Sequence, residues 1–152
     1  MEKIHQSLLN LRDASPIKVA ISVLWKAVTE EDGAVRYLLL WIVLEGLFGV
    51  DDSREIRFRL SQCIALFMNS ERNKAKECFR ACKEAYDLRS QTAHGFKFKK
   101  LNIENANKIS LNVEALIRSC FIKILSDDSL IEKFSGANRE NFLSELIFEN
   151  LS

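Results

Sequence analysis

Arg89 and His94 have the residue types and the spacing to hold a phosphodiester and move a proton beside it. The 152-residue chain contains two histidines, and imidazole is the side chain that exchanges protons near neutral pH. His5 stands near an end expected to fray, so neutral-pH proton transfer by histidine falls to His94. Arg89 precedes it by five residues, about 7 Å along a helix axis, and a guanidinium is a fixed cation with a planar fork of donors for phosphate oxygens. Ser90, one turn before His94, is placed to hydrogen-bond the imidazole, and Tyr86 lies one turn before Ser90. On spacing alone, an Arg followed by a helix-capping His is also an ordinary structural pattern.

The element that must position this pair is a helix from Glu71 to His94, with Gly95 placed to end it. Positions 79, 82, 86, 89 and 93 step by three and four and share one stripe: Phe79, Cys82, Tyr86, Arg89 and Ala93. An apolar stripe that turns into Tyr and then Arg breaks binary patterning, as functional sites do, although a snorkelling or carboxylate-paired Arg has the same signature. Glu45 breaks pattern in the same way on an otherwise apolar helix. It is expected either to orient Arg89 or His94 or to form a buried ion pair with Arg89 or another core Arg that sets helix register.

The rest of the chain also reads as helical. Five Gly and one Pro are too few for the frequent turns of sandwiches and barrels. Ser15-Pro16 starts a helix to about Glu30, Asp32-Gly33 breaks it, and a second helix runs from about Val35 to Phe48. Asp51, Asp52 and Ser53 are N-cap candidates for a third, which Asn69-Ser70 ends. After a basic connector from Lys97 to Asn102, a long helix runs to Leu125, and two shorter ones cover about Asp128–Phe134 and Arg139–Asn150. Trp25 and Trp41 fall on apolar stripes and are expected in the core or at a subunit interface. The fold expected is an all-α, single-domain bundle of six to eight helices spanning residues 1–152, with its motifs within about residues 35–125.

The formal net charge of +1 excludes a histone-like protein or an acidic disordered tail. Distribution tells more than the sum. Residues 53–100 hold 12 Lys and Arg against 5 Asp and Glu, while each flank holds 5 against 8. Lys97, Lys99 and Lys100 adjoin His94 and are candidates for binding RNA phosphates, with Phe96 and Phe98 interleaved as stacking groups or, on the structural side, as anchors to the core. The other basic residues are equally readable as solvated faces with local pairs such as Glu77 to Arg80.

No signal-peptide pattern opens the chain, and the most apolar window, Tyr37 to Val50, falls short of the ~20 residues a membrane span needs. A cytoplasmic protein without membrane association is expected. Cys78 and Cys82 are one turn apart, which permits chelation in principle, but C-x-x-C is absent. The four cysteines are expected to be reduced and buried, with no metal and no cofactor.

The segment Trp41-Ile42-Val43-Leu44-Glu45-Gly46-Leu47-Phe48, followed after an arginine-rich helix by Tyr86-Asp87-Leu88-Arg89-Ser90-Gln91-Thr92-Ala93-His94-Gly95, resembles the HEPN domain (higher eukaryotes and prokaryotes nucleotide-binding), in particular its Apea-like branch. That branch shows an L-E-x-L-F segment and then Y-x-x-R-S-x-x-x-H-G. The resemblance implies an all-α homodimer whose two Arg-x4-His motifs face each other. It further implies a metal-independent endoribonuclease acting in toxin, antiphage or RNA-processing systems, with Arg89 and His94 as the catalytic pair and RNA as the partner. An antitoxin or defence-system partner belongs to the same implication. Ser90 stands where many family members have Asn, Asp or His and matches the Apea-like branch. The alternative is a catalytically inactive HEPN module that binds RNA or a nucleotide, or only dimerises.

Overall fold

The computed structural model describes residues 15–49, 55–94, 103–136 and 138–149, with a few single positions before residue 12. Among the described residues the chain is all-helical, with seven helices: α1 (Pro16–Thr29), α2 (Gly33–Phe48), α3 (Ile56–Met68), α4 (Arg72–Ala93), α5 (Ile103–Leu125), α6 (Asp128–Ser135) and α7 (Arg139–Glu149). None of them is long and apolar enough to cross a membrane.

Local chemistry sets three of the helix starts. The Ser15 hydroxyl accepts from the Lys18 N–H at 3.3 Å, with Pro16 at the first helical position. Asp32 accepts from Ala34 and Val35 at 2.8 and 3.0 Å, so Gly33 is the first residue of α2 rather than part of a break. Asp127 caps α6 through Ser129 at 2.9 Å. Asp51, Asp52 and Ser53 lie outside the described residues. The residue preceding α3 is Glu55, in the left-handed region at φ 69° with no side-chain cap bond, a conformation that strains a residue with a Cβ. Its carbonyl accepts from Phe58 and Arg59.

Helix α2 organises the bundle. It is apolar on nearly every side, burying Tyr37, Leu40, Trp41, Val43, Leu44, Leu47 and Phe48, as expected of a helix enclosed by others. It touches α1, α3, α4 and α5. Three residues join α1 to α2 and three join α3 to α4, connections short enough to make each pair antiparallel neighbours. Phe134 on α6 is fully buried among Phe48, Phe67 and Phe142, with ring centroids 5.3–5.5 Å apart.

Two long basic side chains satisfy carbonyls that helix ends leave open. Arg139 of α7 donates to Gly46 and Leu47 of α2, and Lys123 of α5 donates to Phe67 near the end of α3. Gly49 ends α2 by close approach, since a Cβ there would collide with the Glu45 carbonyl oxygen. On α1, Ile17, Ala20 and Ala27 are buried and Ile21 and Leu24 pack against the core, whereas Trp25 is 70% exposed. Trp41 is in the core, as expected, and Trp25 is not.

Candidate active site

Tyr86 and Arg89 of the α4 stripe face α2, while Phe79 packs against Phe58 of α3 and Ala93 is exposed. Tyr37, Trp41 and Glu45 step by four along α2 and meet Ala85, Tyr86 and Arg89 of α4. The Tyr37 hydroxyl donates to the Ala85 carbonyl at 2.6 Å, and Trp41 packs edge-on against Tyr86 at 5.1 Å between centroids. Glu45 then meets Arg89. The Arg89 Nη2 lies 3.0 Å from Oε1 and 3.3 Å from Oε2, and only the Oε2 contact has hydrogen-bond geometry. The guanidinium also lies over the Tyr86 ring, 5.4 Å from its centroid, a cation–π arrangement. Sequence reasoning missed Tyr37 as the tie that holds α2 and α4 in this register; the four-residue spacing of Tyr37, Trp41 and Glu45 was the signal for it.

Glu45 is paired with Arg89, an arrangement common to both expectations for it. Both side chains are about one-quarter exposed, at 23% and 28%, so the pair sits at the edge of the core. Burial raises the Glu45 carboxyl above the ordinary carboxylate range, against the lowering by Arg89 and the Tyr86 hydroxyl. Burial also raises the Tyr86 phenol. Glu45 Oε1 and Arg89 Nε are buried with no hydrogen-bond partner, so the polar cluster is not internally satisfied.

The raised Glu45 carboxyl has a pH signature. The folded chain holds this proton more tightly than the unfolded chain, so the contribution to stability is complete below the ordinary Glu range, about pH 4.3. It is lost as pH rises through the raised value. A Glu45→Gln variant should therefore match the parent in acid and gain relative stability as pH rises, read as the difference in Tm between about pH 4 and pH 8. The opposite slope would mean that attraction to Arg89 outweighs burial.

His94 is the C-cap of α4 and is exposed. Its backbone N–H donates to the Ser90 carbonyl at 3.2 Å. The expected bond between the Ser90 hydroxyl and the imidazole is not formed; the backbone of Ser90, not its side chain, meets residue 94. Arg89 faces α2 while His94 projects five residues later, about 140° further round the axis, and no hydrogen bond joins them.

Lys97, Lys99 and Lys100, with Phe96 and Phe98, lie outside the described residues. On α3 and α4, Arg57, Arg59, Arg72, Lys74, Lys76 and Arg80 are exposed. Arg57 pairs with Asp87 across the two helices and Lys74 with Glu71 at 2.9 Å, whereas no ion pair joins Arg80 to Glu77. Among the described residues, no group of three or more His, Cys, Asp or Glu side chains is arranged to hold a metal ion. Comparison of the chain with protein-family models, curated proteins and solved structures returned no match.

Proposed function

We propose that the chain is a metal-independent endoribonuclease of the HEPN type, in which Arg89 binds the scissile phosphate and His94 transfers protons. The observation that carries this reading is the arrangement at the end of α4. A guanidinium is held by Glu45 and Tyr86 with its Nε donor unused, and an exposed imidazole follows on the helix cap.

RNA supplies its own nucleophile, the 2′-hydroxyl, so the protein must supply a base for that proton, a cation for the charge developing at phosphorus, and an acid for the departing 5′-oxygen. The 2′-oxygen bonds to phosphorus as the bond to the 5′-oxygen breaks, leaving a 2′,3′-cyclic phosphate and a 5′-hydroxyl. Base and acid are two groups, and each chain offers one usable imidazole. A homodimer with two apposed motifs provides both. The exposed basic residues of α3 and α4 would collect RNA phosphates with salt-dependent, sequence-tolerant affinity. Such an enzyme suits a toxin or antiphage effector in the cytoplasm, restrained by an antitoxin or another defence component.

A second reading is favoured by one contact: Glu45 already engages Arg89, as it would in an inactive module that binds RNA or dimerises. Incubating the purified protein with tRNA in excess EDTA separates the two. Cleavage that persists with chelation and leaves cyclic phosphate ends is the expected result. RNA binding without cleavage would transfer support to the module, and cleavage abolished by EDTA would overturn the metal-independent mechanism.

A further inference from the structure

Residues 56–83 hold seven Lys and Arg against two Asp and Glu, and among these charges α3 and α4 carry an aromatic pair. Phe58 of α3 is 45% exposed and packs nearly at right angles to Phe79 of α4, with ring centroids 5.2 Å apart and planes at 77°. Neither ring belongs to the hydrophobic core. Phe79 is half-buried, and Lys83 lies over its ring, 5.2 Å from the centroid, so Phe58 is the ring more open to solvent.

Lys76 and Lys83 flank Phe79 at three residues before and four after, and Arg72 continues the same stripe, which extends about 16 Å along the axis. Arg72, Lys76 and Arg80 are exposed. Among the described residues, the ion pairs of this region are Arg57 with Asp87 and Lys74 with Glu71, and none engages the cations of the stripe. Glu77 and Glu84 lie about 140–160° round α4 from Phe79, and Glu55, one turn before Phe58, is an acid at the near end of α3.

We propose that this face is a docking surface for single-stranded RNA, in which a base stacks on Phe58 while Arg72, Lys76, Arg80 and Lys83 hold the flanking phosphates. The charge selects a polyanion, and the ring selects among polyanions. An unstacked base offers a π face, whereas an acidic side chain has none and a duplex keeps its bases stacked inside. Phe79 holds Phe58 in place before the strand arrives, so stacking costs little ordering. This surface rests on the reading of the chain as a protein that acts on RNA, and it adds where the strand lies: Phe79 precedes Arg89 by ten residues on one helix, about 15 Å along its axis.

A short fluorescent 2′-O-methyl oligouridine has no free 2′-hydroxyl to attack its own phosphate, so its anisotropy reads binding without cleavage. Phe58→Leu keeps an apolar side chain but loses the ring face, and it should weaken binding about 5–100-fold, with thermal melts confirming that the variant is folded. Phe58→Trp should bind at least as tightly as the parent. Lys76→Gln combined with Lys83→Gln should lower the slope of log K against log salt by about 1.4. Unchanged binding by folded Phe58→Leu, no binding by the parent, or tighter binding of duplex RNA or polyglutamate than of the single strand would overturn the surface. Cleavage of tRNA is read separately: Phe58-dependent binding without cleavage upholds the surface and removes the ribonuclease, and cleavage with binding indifferent to Phe58 does the reverse.

Discussion

His94→Ala is expected to slow RNA cleavage by about 10²–10⁴-fold, the range that a positioned general acid or base contributes. The same substitution should leave stability within about 0.5 kcal/mol of the parent. The imidazole is exposed, and the capping bond at this position belongs to the backbone N–H, which Ala retains. Arg89→Ala makes the instructive contrast. It removes the cation expected to hold the phosphate and also leaves the Glu45 carboxylate without its partner at the core edge, so cleavage and stability should fall together, the second by about 1–3 kcal/mol. Arg89→Lys keeps the charge but loses the planar fork and the stacking on Tyr86, and it should recover stability better than activity. Rates on a tRNA substrate, read beside thermal melts of each variant, check all three. A His94→Ala protein that cleaves RNA at the parent rate would remove the basis of the proposed chemistry.

Phe134→Ala should produce the largest loss of stability, about 3–5 kcal/mol. The ring is fully buried, and its neighbours Phe48, Phe67 and Phe142 come from α2, α3 and α7. Elements from three separate parts of the chain would have to move together to refill the space, which limits relaxation and keeps the cavity cost high. For a chain of this size the loss corresponds to a fall in Tm of roughly 6–20 °C. Denaturant titration with an unchanged slope and a lowered midpoint is the expected form. A loss below about 1 kcal/mol would show that the surrounding rings repack.

Helix positions were largely legible because capping chemistry is local: Ser15 and Asp127 announce α1 and α6 by residue type alone. Asp32 was read only as part of the break after α1, and its second role, as the cap that starts α2 at Gly33, was not. The face that α1 buries was legible in the main, since Ile17 and Ala20 are buried and Ile21 and Leu24 pack against the core, whereas Trp25, read on the same stripe, is exposed at its edge. At the candidate site, the pattern breaks at Glu45 and Arg89 signalled a pairing that the structure contains. The hydroxyl of Ser90 could not be oriented from spacing, because residues four apart on a helix meet through the backbone before their side chains do.

The bond from Arg139 to the carbonyls of Gly46 and Leu47 bears on the order in which the molecule matures. Arg139 follows Arg89 by 50 residues, so the α2–α4 contact is specified by a part of the chain that is made earlier. Until residue 139 is made, the last turn of α2, next to Glu45, lacks the guanidinium that ties down its free carbonyls. The last turn of α2 is thus completed by the final helix, and the Glu45–Arg89 pair borders an end that α7 ties down.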